Sequence, residues 1–368
     1  MDRRELLQLG AAAIAAGSLA KPAFAQSATG WKNHLDAYSR TMHWVRTPEE
    51  IAQVCQQIGN TTIDLTVRPK SQGSAAGHVL PEKAKTELVP FINALKRNGI
   101  TTSLIGMDVM DATTPYLEDV LSAGASAGVH HVWWRGITPD NTLPYTKALD
   151  AIKPRVEALA KIMAKYQFKA LYHPGGDFTQ VLDICRPFDP KNIAIQYDTG
   201  NFGQFNQGTI ANQIREGGAY IGGFVFKDFY IERLTPEQQA AAAATAAAGR
   251  GAARGAAPAA GAPAGAAPAG AAPAAAGRAG GGGRGGNGNG FSSRQVPVGT
   301  GVLNLPLICQ ALKDNNFSGP IECQPEWPEL GGANTGQDTL TIPREEVIRL
   351  LKRDYTTVSV PLAAAGVI

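Results

Sequence analysis

Four side chains in this 368-residue sequence have the types and surroundings to move protons: His173, Asp198, Lys227 and Glu326. Each closes a short apolar run, in Leu-Tyr-His173-Pro-Gly-Gly, Gln-Tyr-Asp198-Thr-Gly-Asn201, Val-Phe-Lys227-Asp228 and Gln324-Pro-Glu326-Trp327. A carboxylate or imidazole placed there can accept a proton, and a neighbouring ammonium can steady the negative oxygen left behind. Those groups together suit removal of a proton next to a carbonyl, a first step common to isomerisation, epimerisation and β-elimination. Arg135, Arg68, His78, Asn201, Asp228 and Gln324 stand at other run ends or in the polar loop 68–79, as candidates for gripping substrate oxygens. Each has a plainer alternative: a hydrogen-bonded structural histidine, a turn cap, a Lys227–Asp228 rim pair, or ordinary loop charges at Arg68 and His78.

These residues need a frame that brings run ends together. Apolar runs at 41–45, 61–67, 101–105, 129–134, 168–173, 192–198, 220–227 and 319–327 alternate with segments of helical period. Thr47-Pro48-Glu49-Glu50 reads as a capping box opening a helix to Gly59; further helices are expected at 81–98, 114–127, 144–166, 303–315 and 343–358. Eight strand–helix units predict one α/β domain over 31–358, a single (β/α)8 TIM barrel, with chemistry gathered at the carboxyl ends of its strands. An open doubly wound sheet would call for a glycine-rich turn after the first strand, and no G-x-G-x-x-G follows Val45.

Two stretches stand apart from the barrel. Residues 240–290, after strand seven, use only Ala, Gly, Pro, Arg, Thr and Asn, too little apolar surface to offset ordering entropy, so a disordered insert is expected there. Residues 1–25 combine Arg3-Arg4, an Ala/Leu/Gly run too short for a stable membrane anchor, and Ala23-Phe24-Ala25. They predict a twin-arginine signal peptide cleaved before Gln26 and a periplasmic or secreted product. The insert's four arginines and the leader's net charge of about +1 outweigh the chain's formal +3, leaving about −2 for the folded part. That balance argues against nucleic acid as a partner. Cys55, Cys185, Cys309 and Cys323 form no C-x-x-C and read as buried filler, with a disulfide left open.

The order Tyr172-His173, Tyr197-Asp198-Thr-Gly-Asn201, Phe226-Lys227-Asp228 and an acidic last strand exit resembles the xylose isomerase-like barrels of the sugar phosphate isomerase/epimerase superfamily. The resemblance covers nearly all of the chain outside leader and insert. It implies a mouth that binds a sugar or polyol, often through one divalent metal (Mn, Mg, Co or Zn), which Asp198, His173 and Glu326 could hold here with positions left open. The chain departs from the family pattern at Asn201, where a histidine is expected after Asp-Thr-Gly, and at Val225-Phe226, where another should precede Lys-Asp. Two functions follow: an exported sugar isomerase/epimerase-like enzyme, with Glu326, Lys227 and His173 catalytic, or a catalytically inactive barrel that binds carbohydrate or cell-wall material. No P-loop is present.

Overall fold

The computed structural model describes residues 33–71, 73–173, 177–202, 210–240, 285–287 and 291–368. The leader and nearly all of the low-complexity stretch lie outside the described residues. Strands β1 (Leu35–Tyr38), β2 (Thr62–Thr66), β3 (Thr101–Val109), β4 (His131–Trp134), β5 (Lys169–Tyr172), β6 (Ile193–Asp198) and β7 (Ile221–Phe226) run in sequence around a barrel. The strand Ile321–Cys323 closes the ring between β7 and β1, and every barrel pairing is parallel. The expected (β/α)8 barrel is thus the observed architecture.

Helices α1 (Pro48–Ile58), α2 (Val89–Arg97), α3 (Leu117–Ser126), α4 (Tyr145–Tyr166), α5 (Phe178–Cys185) and α6 (Ile210–Gly217) wrap the outside, joined later by α7 (Leu305–Asp314) and α8 (Arg344–Ala365). The capping box is present at α1: Thr47 accepts from the Glu50 N–H, and Glu50 accepts from the Thr47 N–H. Alternate strand residues such as Ile63, Leu65, Val132 and Trp134 pack against these helices. The opposite set turns inward, where Tyr38, Leu104, Trp133, Leu171 and Ala194 form a small central cluster. None of the helices among the described residues is long and apolar enough to cross a membrane.

Three local expectations are corrected. The first strand is Leu35–Tyr38, not 41–45. The Thr41 hydroxyl donates to the Tyr38 carbonyl and the Trp44 indole to the Thr41 carbonyl, which holds 39–42 as a 3₁₀ turn at the strand exit. The helix expected over 81–98 begins with a 3₁₀ turn and a π turn, Ala84–Leu88, because Pro90 has no N–H for the Thr86 carbonyl. Finally, strand seven does not pass straight into the insert. Lys227 is followed by β8 (Asp228–Arg233), which pairs antiparallel with β10 (Phe291–Val296), and β9 (Gly285–Asn287) adds to β10. Of the expected insert 240–290, residues 285–287 are described as this short strand.

Asp228 ties this hairpin to the barrel. Its carboxylate accepts backbone N–H groups from Phe229 (2.9 Å), Gly299 (2.9 Å), Gly301 (2.9 Å), Val302 (3.0 Å) and Leu303 (3.2 Å). A Cβ on Gly301 would collide with that carboxylate and with the Phe229 carbonyl. Removing the acceptor strands several part-buried N–H groups, each costly to leave unbonded. Asp228→Ala is expected to lower unfolding free energy by about 3 kcal/mol in urea titrations, and a loss within experimental error would refute the anchoring role.

Candidate active site

Lys227 leaves β7 pointing inward, with its Nζ 3.0 Å from Asp198 Oδ2 and 3.1 Å from Glu326 Oε2. The local chain is shaped to this. The Thr199 hydroxyl donates to the Lys227 carbonyl at 2.7 Å and accepts from the Lys227 N–H at 2.8 Å, which locks the ends of β6 and β7 together. Gly200 lies where a Cβ would stand 2.9 Å from Lys227 Cβ and 3.1 Å from its Cδ. Just beyond the strand, the N–H groups of Gly200 and Asn201 turn back onto Asp198 Oδ1 at 2.8 and 3.1 Å, and the Asn201 amide donates to Oδ2 at 3.0 Å.

Glu326 is gripped from both sides. Its Oε1 accepts from Arg40 Nη1 at 2.6 Å and faces the Tyr38 hydroxyl at 3.5 Å, while Oε2 faces Lys227. His173 stacks on Trp133 with ring centroids 4.8 Å apart and planes 11° from parallel. Its Nδ1 bonds Gln196 Oε1 at 3.1 Å, and its Nε2 lies 3.4 Å from Asp198 Oδ2. His173, Asp198, Lys227, Glu326 and Asn201 thus share one rim, as their spacing in sequence suggested.

Charge within the cluster follows from burial set against pairing. Burial opposes ionisation of Glu326, but Lys227 and Arg40 outweigh it and hold the carboxyl down at about 2. Burial also works against the Lys227 ammonium, and Asp198 with Glu326 more than restores it, lifting it above an ordinary lysine. Burial, helped by Lys227 and Arg135, lowers His173 to about 3, so this imidazole is neutral at neutral pH. Asp198 is raised by burial against the pull of Lys227.

Beneath this layer lies a second, which sequence reading found only in part. Trp133, Gln196 and Glu322 come from strands that are not neighbours, so the bonds among them cross the barrel interior. Glu322 accepts from the Gln196 amide, from Gln324 at 2.6 Å and from the Trp133 indole at 3.5 Å. Asp36, in register with Glu322, accepts from the Ser103 hydroxyl at 2.5 Å. Both Asp64 oxygens meet no hydrogen-bond donor among the described residues. Burial pushes Asp36 up to about 7, Glu322 to about 8 and Asp64 well above the usual range.

The remaining candidates divide. Arg68 is buried with its guanidinium 5.1 Å over Trp133, its Nε and Nη2 without hydrogen-bond partners among the described residues. Arg135 pairs with Asp108 at 3.1 Å on the more open rim. His78 packs away from the cluster, between His43 and Phe91, with Nε2 3.1 Å from the Ser39 carbonyl. Asp228 faces the hairpin, not Lys227. Arg40 was missed: with the first strand placed at 41–45 it fell before the strand instead of at its exit. All four cysteines are buried and free.

Asp198, His173 and Glu326 do not make the three-ligand metal cage considered from sequence. The Lys227 ammonium sits between the two acids, Asp198 Oδ1 is taken by backbone amides, and among the described residues no three His, Cys, Asp or Glu side chains converge to hold a metal ion.

A family model described as "Xylose isomerase-like TIM barrel" matches residues 52–349. No curated protein sequence matches the chain. Among solved structures, the IOLI protein with a bound zinc atom aligns at TM-score 0.56 and 14% identity, over 90% of this chain and 98% of that one. D-psicose 3-epimerase from Clostridium cellulolyticum H10 aligns at 0.54 and 12%, over 90% and 99%. The E. coli 3-keto-D-glucoside 4-epimerase YcjR aligns at 0.51 and 10%, over 89% and 99%. At such identities the likeness is one of fold.

The raised acids set a pH dependence. Asp36 keeps its proton in the fold up to about 7, whereas the unfolded chain releases it near 3.8, so stability from this group falls as pH rises through that window. Relative to wild type, Asp36→Asn is expected to gain on the order of 2 kcal/mol between about pH 5 and about pH 8 in urea denaturation. A pH-independent difference would show that Asp36 is ionised in the native state.

Proposed function

This chain belongs to the xylose isomerase-like TIM barrel family, and on that footing we propose that it acts on a sugar or polyol by removing the proton next to a carbonyl. The observation that carries the reading is an ammonium held 3.0 and 3.1 Å from two carboxylates, beside an uncharged imidazole, at the carboxyl ends of barrel strands. In this mechanism a substrate carbonyl oxygen takes a hydrogen bond from Lys227. The ammonium turns partly away from Glu326, whose affinity for a proton then rises. Glu326 removes the proton on the neighbouring carbon, and the negative oxygen of the enediolate stays against Lys227. With Nδ1–H directed to Gln196, His173 offers its Nε2 lone pair to a substrate hydroxyl and relays that proton. Return of the proton to the other carbon gives isomerisation, return to the opposite face gives epimerisation, and loss of a β-hydroxyl gives elimination. In this reading Arg135, Asn201 and Gln324 orient hydroxyl groups. D-Psicose 3-epimerase and 3-keto-D-glucoside 4-epimerase, both of this fold, support a small sugar as the substrate class.

Export is part of the proposal, supported by Arg3-Arg4 and the Ala23-Phe24-Ala25 site. N-terminal sequencing of the protein from a periplasmic fraction should begin at Gln26. Recovery of the uncleaved chain from the cytoplasm alone would refute export.

One observation favours a second reading, a carbohydrate-binding barrel without catalysis: His173, Asp198, Lys227 and Glu326 are all less than a tenth exposed and bonded to one another. Proton exchange separates the two. In deuterium oxide, a panel of keto-sugars and inosose-like polyols should show incorporation at the carbon beside the carbonyl by NMR. Lys227→Met and Glu326→Gln should each slow it by about 100-fold or more. Saturable binding with no incorporation for any compound would favour the binding barrel.

A further inference from the structure

We propose that Lys227 occupies the place a divalent cation would take and that the site works without one. The inference deepens the reading above and rests on it for the chemistry, though not for the metal content. Three observations carry it. The ammonium lies within 3.1 Å of one oxygen each from Asp198 and Glu326, the two acids best placed to ligate an ion. With two N–H groups so engaged, one remains to meet a substrate oxygen, as an open coordination position would.

Apart from the neutral His173, the groups around the two acids repel or ignore a metal. Asn201 presents its amide N–H₂ to Asp198, Val225 offers no ligand, and Glu326 Oε1 is taken by Arg40 at 2.6 Å. Arg40 and Lys227 already balance the charges of Asp198 and Glu326. A dication added to this buried set would leave an uncompensated charge of about +2, which burial strongly disfavours.

The backbone is also fitted to the lysine. Gly200 leaves open the space that the Lys227 stem fills, since a Cβ there would stand 2.9 Å from Lys227 Cβ and 3.1 Å from Cδ. The Thr199–Lys227 exchange fixes where that stem begins.

The test uses tag-free, full-length protein, incubated separately with excess Mn, Co, Zn and Mg, dialysed, and measured for bound metal by mass spectrometry and for melting temperature. Wild type should retain well under one equivalent, with no shift in melting temperature. Lys227→Ala and Lys227→His should each retain about one equivalent of Mn, Co or Zn and melt higher with it than without it. Circular dichroism identifies variants that fold, and either folded variant suffices. Lys227→Met, which fills the stem's space, should stay metal-poor. Wild-type retention of about one equivalent that Asp198→Asn abolishes would overturn the proposal. So would folded Ala and His variants that take up no metal. Failure of the sugar reading would register separately, as absence of deuterium incorporation by a metal-free wild type.

Discussion

A buried ammonium between two carboxylates is the constraint around which the rim of this barrel is arranged. Lys227 is 6% exposed and Asp198 fully buried, so neither charge could be held there alone. An isolated buried charge costs several kcal/mol, and mutual attraction offsets this only where geometry is good and the remaining donors and acceptors are satisfied. Here they are: Asp198 receives two backbone N–H groups and an amide, and Glu326 receives an arginine. Burial, helped by the Lys227 ammonium, keeps the neighbouring imidazole uncharged, which suits it to exchange protons with a substrate rather than to pair with one of the acids.

Strand alternation then divides the work of adjacent residues. Lys227 and Asp228 are neighbours in sequence, yet one turns into the barrel and the other outward to five backbone N–H groups of the hairpin and the following loop. The outward residue holds the chain that positions the inward one. A similar pairing holds at β6, where Asp198 faces the cluster and Thr199 clasps the β7 exit. Below them the interior row of Asp36, Asp64, Gln196 and Glu322 is polar where barrels of this kind usually pack branched apolar side chains.

Much of this was legible in the sequence because apolar runs ending in Asp-Thr-Gly, Lys-Asp or His-Pro-Gly mark strand exits whatever the tertiary context. The barrel, the capping box at Thr47 and the gathering of His173, Asp198, Lys227 and Glu326 could be read from those ends. What stayed hidden depended on contacts distant in the chain. Leu35-Asp-Ala-Tyr is a short run that becomes a strand only by pairing with 321–323 and 62–64, so its exit residue Arg40 went unseen. Asp228 reads in the sequence as a substrate contact or a rim partner of Lys227, since nothing local announces that residues 299–303 fold back onto it. The hairpin of 228–233 with 291–296 joins segments separated by the low-complexity stretch, beyond the reach of any local pattern.

That hairpin isolates the barrel from whatever the chain does beyond it. Six register pairs, from Asp228 with Val296 to Arg233 with Phe291, fix the two ends of the excursion side by side before it departs. The entropy of closing a loop grows only with the logarithm of its length, so doubling or halving the Ala/Gly/Pro tract changes that cost by about 0.6 kcal/mol. Codon-repeat slippage in such a tract would pass unnoticed by the rim, which makes the ladder a selvedge: the fabric behind it holds its weave however long the fringe is cut.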